Sequence, residues 1–397
     1  MKRKPIFVVL LTVFVDLLGF GIVIPLLPFY AEHFGATPTV IGLLSSSYSL
    51  MQFLFIPFWG RLSDRLGRRP IILISVFGSF VSYVVFGFAN SLFLLFLSRI
   101  LGGFMGANIS TAYAYIADST NAEDRAKYMG LIGAAFGVGF MFGPFIGGIT
   151  SRISYGTPGF VAAGLSLINA VLAYFILPES IKEKVKHAGK VSLLNLPAIR
   201  DAFRKPVVGT LVMASFFYTV AFSNLYVAFP LFTGEVFNYG AAANGYLFAY
   251  IGLIGVFIQG GAIGRLVKKF GERGLIVGGI ALLLGGLTFL PSTHSLFVLI
   301  ILVTMLAVGS ALVTPPLTSL ISKHAGTAEY GSVLGVSRSF SSLARVVGPF
   351  WGGFILGTAG LSWPFYTGAI MLLFSLTLAW RVPKLNTEVT GDPATSK

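Results

Sequence analysis

Apolar residues in this chain fall into runs of about twenty or more, separated by short polar clusters. The runs are 6–30, 40–60, 71–89, 91–117, 127–150, 158–178, 207–233, 243–265, 273–291, 295–322, 330–356 and 362–382. At 1.5 Å of rise per residue, about 20 apolar residues cross the hydrocarbon of a bilayer. Backbone groups in hydrocarbon must find partners within their own segment, so such runs become helices. The period-two alternation of a membrane barrel is absent. The pattern predicts an all-α membrane fold of twelve transmembrane helices. The opening MKRKPIFVVLL has the order of a signal peptide, but the apolar run continues without a small-residue cleavage site. It reads as a retained first span.

The polar clusters alternate in charge. All but four of the 28 Lys and Arg residues lie at the N-terminus, in 61–70, 118–127, 179–206 and 265–273, at Lys323 and at the C-terminus. The four exceptions are Arg99, Arg152, Arg338 and Arg345. The positive-inside rule then places both termini in the cytoplasm and the chain in a cytoplasmic (inner) membrane. The net charge of +14 faces anionic lipid headgroups; no basic cluster marks a soluble face for nucleic acid. Only 11% of residues are charged and 55% are hydrophobic, too few charges to cover a soluble fold of 397 residues. Cysteine is absent and the four histidines are scattered, which leaves no candidate metal site and no thiol nucleophile.

The chain repeats itself. GRLSDRLGRR at 60–69 returns as GRLVKKFGER at 264–273, and GPFIGG at 143–148 returns as GPFWGG at 348–353. The offsets are 204 and 205. This predicts two pseudo-symmetric six-helix bundles, 1–178 and 207–382, joined by a cytoplasmic linker, 179–206, part of which is amphipathic and lies on the membrane surface. Residues 383–397 read as a disordered tail.

Charges inside the spans are the candidate chemistry. Asp16 is the acid lying well inside a predicted span, and an acid at depth is costly enough to be functional by default. Desolvation favours a carboxyl that loads and releases a proton. Arg99 in span four keeps its charge and would form a switchable pair with Asp16. Arg338 and Arg345 lie seven apart in span eleven, on about one face, where they would attract anionic or zwitterionic ligands. Aromatic and polar residues suit a pocket for amphipathic molecules. The candidates for this cavity are Asn108, Tyr113, Phe217, Tyr218, Asn224, Tyr250, Gln259 and Arg338.

Three strings carry a family resemblance. GRLSDRLGRRP resembles the signature loop between the second and third helices of major facilitator transporters. The resemblance implies a cytoplasmic gate built from Gly60, Asp64, Arg65, Gly67, Arg68 and Arg69, with Asp118 and Arg125 nearby. In it Asp64 would engage a helix end of the other half, and the second copy lacks that acid. GAAFGVGFMFGPFIGG, with Gly137, Gly143, Pro144 and Gly147, resembles the span-five signature of the exporter branch. DLLGFGIVIPLLP and SRILGGFMGA resemble the span-one and span-four patterns of proton-coupled drug exporters, tetracycline exporters among them. Those exporters carry further acids in spans three and nine; here span three has Ser82 and span nine has no acid after Glu272.

The resemblance implies a drug:proton antiporter acting as a monomer, with the proton as coupling ion and no other cofactor. A lipid or lysolipid flippase and a facilitative metabolite transporter remain alternatives. No P-loop, HExxH or nucleophile elbow supports an enzyme.

Overall fold

The computed structural model describes residues 3–120, 122–181, 196–325 and 330–382. The predicted tail 383–397 lies outside the described residues, as do 182–195 of the linker and the side chains of Asn108 and Arg125.

The first pass is α1 (Arg3–Val23), a turn at Pro25, and α2 (Leu27–His33). Then come α3 (Pro38–Leu66), α4 (Arg68–Gly87), and α5 (Leu92–Met105) joined to α6 (Ile109–Ser119) by a 3-10 turn at Gly106–Asn108. α7 (Ala122–Thr150) and α8 (Thr157–Ile176) complete the first half. α9 (Leu196–Arg204) is a short linker helix. It buries Ala202, stacks Phe203 on Phe340, and keeps Arg200 and Arg204 exposed.

The second half begins with α10 (Pro206–Phe237). α11 (Ala241–Phe257) passes through a π turn into α12 (Ile263–Phe289), and α13 (Leu296–Ala325), α14 (Tyr330–Ala359) and α15 (Trp363–Arg381) follow. Among the described residues, nine helical stretches are long and apolar enough to span a membrane. One of them, Ala241–Ser292, bends at Gly271 (φ 71°, ψ 161°) and so makes two passes. With α7 and α14 the chain makes twelve. The second span runs to Leu66 rather than 60, because the polar GRLSDRL is itself helical.

The two halves close on each other along two seams, α3 against α14 and α7 against α11. Hydrophobicity drives no helix together in lipid, so close approach depends on small residues. The repeated GPFxGG string supplies them in the same way in each half. Cβ atoms on Gly143 and Gly147 would strike the backbone of α1 at Leu18 and Ile22, and one on Gly148 would strike α11 at Ala242. In the second half, Gly348 and Gly352 meet α10 at Val220 and Asn224, and Gly353 meets α3 at Gly42. The first two glycines of each copy pack inside their own half; the third packs across the seam. The closest approaches lie on the side opposite the termini. Along α7 and α11, the clearance for a Cβ grows from 2.6 Å at Gly252 to 3.6 Å between Gly137 and Val256. Among the described residues, Gly260 and Gly264, nearer the terminal side, have nothing within 4 Å.

Candidate functional site

Arg99 on α5 is 2% exposed, and among the described residues its Nη2 has no hydrogen-bond partner. Its Nε donates a long bond of 3.5 Å to the hydroxyl of Ser98. The guanidinium instead sits among rings, 5.0 Å from the Phe86 centroid, 5.9 Å from Tyr48 and 6.0 Å from Tyr83. Aromatic faces offset part of the cost of burying a cation, but not the cost of an unmade donor bond.

The local sequence brings α3 this close. Gly102, Gly103 and Gly106 follow Arg99 on its own face, and a Cβ on Gly103 would overlap the backbone of Tyr48. The Gln52 amide donates to the Gly106 carbonyl at 3.1 Å, and the Trp59 indole to the Phe104 carbonyl at 2.6 Å, holding α3 to the 3-10 turn. Asp16 on α1 interacts electrostatically with both Tyr48 and Tyr83. The Tyr83 hydroxyl abuts Gly19, one turn beyond Asp16. The structure thus brings Asp16 and Arg99 to a shared pair of tyrosines.

Beside them is a cavity at the meeting of the halves. Phe20, Val23, Ile24, Leu27, Ser45, Tyr48, Ser49 and Arg99 line it from the first half, and Tyr226 and Pro349 from the second. Its volume is about 20 Å³, room for one water. Arg345, one turn before Pro349 on α14, acts electrostatically on Tyr226 and Tyr48 and donates to the Ser342 hydroxyl at 3.1 Å. Arg338, further along α14, lies 4.1 Å over the Tyr113 ring of the first half.

On the terminal side, Gly67 turns the chain between α3 and α4 with φ of 114°, a conformation open to glycine. Arg68 then pairs with Asp64 at 2.6 Å and with Asp118 at 3.1 Å. The Glu179 carboxylate accepts from the backbone N–H groups of Arg68 and Arg69, at 2.9 and 3.3 Å, and so caps α4. Arg69 reaches the Tyr174 carbonyl at 2.8 Å, Gly60 faces Ser110, and Arg65 is exposed. Asp64 thus meets Arg68 of its own half; the segment 326–329 before α14 lies outside the described residues.

The other described residues expected at a cavity make the following contacts. Asn224 is fully buried between α10, α14 and α15, donating to the Pro364 carbonyl at 2.7 Å beside Gly352. Tyr218 is in the core of the second half, with its hydroxyl 3.1 Å from that of Thr314. Tyr250 bonds Thr304 at 2.9 Å. Phe217 stacks on Phe374, which is largely exposed on the outer surface, and Gln259 is exposed in the π turn. Of the described side chains in that set, the structure brings together Tyr113 and Arg338. Sequence reasoning passed over Tyr48 and Tyr83, whose polar neighbours Ser46, Ser49 and Ser82 were the available signal, and Glu179, which a linker position disguised.

The chain matches a family model described as Major Facilitator Superfamily over residues 9–349 and 261–396. It is 32% identical to multidrug resistance protein 2 of Bacillus subtilis, covering 96% of this chain and 97% of that one. It is 30% identical to the class C tetracycline resistance protein of Escherichia coli, covering 91% and 92%. Among solved structures, the human organic anion transporter MFSD10 aligns with a TM-score of 0.72 and 27% identity over 95% of this chain and 99% of its own. A bacterial homologue of the human lysosomal transporter Spinster, inward-facing and unoccupied, aligns with a TM-score of 0.78 at 16% identity, covering 96% and 97%, which is a likeness of fold alone.

Proposed function

The chain belongs to the Major Facilitator Superfamily, and we propose that it is a secondary active exporter that moves lipophilic or amphipathic drugs outward in exchange for protons. The observation that carries the reading is the convergence of Asp16 and Arg99 on Tyr48 and Tyr83, beside a cavity between the halves. A carboxylate near a buried guanidinium holds its charge; a proton on it removes the attraction and changes the balance between packed arrangements of the halves. The halves then rock about the cavity, exposing it to one side at a time.

The basic segments favour a cytoplasmic terminal side, so the tight glycine seams would close the outer face. Fusion reporters on each terminus test that orientation. Tetracycline is outside the proposed substrates, because Ser82 stands where those exporters carry an acid and gives its hydroxyl to the Ser98 carbonyl at 2.8 Å. The test of the proposal is substrate counterflow in proteoliposomes driven by a pH step. Uphill movement of a dye or antibiotic is the expected result; no response to the imposed gradient would overturn proton coupling.

A further inference from the structure

The second half holds an unusual charge pattern. Its acids are Glu235, Glu272 and Glu329, all at helix ends or in connections, so its spans carry no carboxylate. Yet α14 carries Arg338 and Arg345, and Arg345 stands midway along this 30-residue helix. Among the described residues no carboxylate pairs with Arg345; it bonds the Ser342 hydroxyl and faces Tyr226 and Tyr48. Across the same rings stands Arg99, buried, on the cavity wall, with a donor unsatisfied. A guanidinium kept within a span without a carboxylate marks a site whose partner arrives from outside the chain.

We propose that the cavity lined by Arg99, Tyr48 and Tyr226, whose wall at Pro349 is one turn from Arg345, is the recognition site for an organic anion carrying an aromatic ring, with Arg345 reading the anionic group. The inference rests on the transport site proposed above and names what fills it. The ring side is already built: Phe20 lies tilted against Tyr48 at 4.9 Å between centroids, and Tyr226 lines the cavity from the second half. Guanidinium presents paired donors that match a carboxylate, sulfonate or phosphate edge. Arg338 also acts electrostatically on Arg345, so the guanidinium groups here outnumber Asp16, and an anion offsets part of the surplus. The present cavity admits one water, so a ligand enters when the halves part.

The test is equilibrium binding to the purified full chain in lipid nanodiscs, with three probes of one shape: naphthoate, its neutral amide, and naphthylmethylammonium. Wild type is expected to bind the carboxylate about tenfold or more tighter than the amide, the span of a charge-assisted bond. Arg345→Gln should remove that preference while leaving amide affinity within about twofold, and Arg345→Lys should restore much of it. Equal binding of carboxylate and amide by wild type overturns the proposal, as does tightest binding of the ammonium, or equal losses for all three probes in Arg345→Gln with Arg345→Lys no better. Because binding is read without a gradient, a failed pH-step experiment with the carboxylate preference intact sinks coupled export and leaves this site standing.

Discussion

Glu272 and Lys323 repeat, with their charges exchanged, the pair that Arg68 makes with Asp118. Lys323 Nζ lies 2.9 Å from Glu272 Oε1, and Arg68 Nε lies 3.1 Å from Asp118 Oδ2. The positions correspond through the offsets of 204 and 205 between the halves. Each pair ties the turn after a half's second pass to the end of its fourth, and Gly67 and Gly271 make both turns with positive φ. What the fold keeps is an attraction at that place, and either polarity serves.

Glu272 is the more buried partner, with 9% of its side chain exposed. Glu272→Lys should therefore cost on the order of 1 kcal/mol and lower the unfolding temperature by a few degrees. Adding Lys323→Glu should return most of that loss. A double variant as unstable as the summed singles would show that the pair carries no attraction of its own.

The far-side seam depends on Gly245, where a Cβ would sit 2.6 Å from the Gly148 Cα. Gly245→Leu should hold the far side ajar and reduce transport about tenfold or more. The chain has no native cysteine, so spin labels can be placed on Ala36→Cys and Tyr239→Cys without background. Their separation should lengthen in the Leu variant; an unchanged distance distribution would refute the seam as a closure.

Asp16→Asn fixes the neutral form of the group proposed to carry the proton. Uphill transport driven by a pH gradient should disappear, while exchange between equal internal and external substrate continues. Retention of gradient-driven accumulation in this variant would rule Asp16 out.

Glu32, at the far-side end of the first pass, has a carboxyl held above its ordinary value by burial first and by the charge of Glu235 second. Glu235 lies at the corresponding end of α10 in the other half, and Phe29 packs on the neighbouring Gly234. The raised value means this closed arrangement binds a proton more tightly than one in which the ends have separated. The seal is thus favoured as pH falls through the Glu32 value and is loosened as pH rises above it. The labelled pair should shorten in mean distance as pH is lowered, and Glu235→Gln should flatten the response. A profile indifferent to both pH and Glu235→Gln would remove Glu32 from the closure.

Hydropathy, charge alternation and the repeated strings were enough for the number of passes and the pairing of the halves, because a bilayer imposes its requirement on each segment separately. Asp16 and Arg99 were legible for a related reason: a charge in an apolar run is conspicuous wherever it points. Asn224, Tyr218, Phe217 and Gln259 were not, although each lies in or beside an apolar run. Lipid is as apolar as a helix neighbour, so a membrane helix has no polar stripe to say which face meets the cavity, the next helix or the hydrocarbon. Only packing decided that Asn224 caps a carbonyl in the α10–α14–α15 seam while Tyr48 and Tyr226 meet across the cavity. By itself the sequence determined the spans, the duplication and the intramembrane charges. Tertiary structure decided which charges share an environment, because that depends on backbones brought into contact at Gly103, Gly148 and Gly353, far apart along the chain.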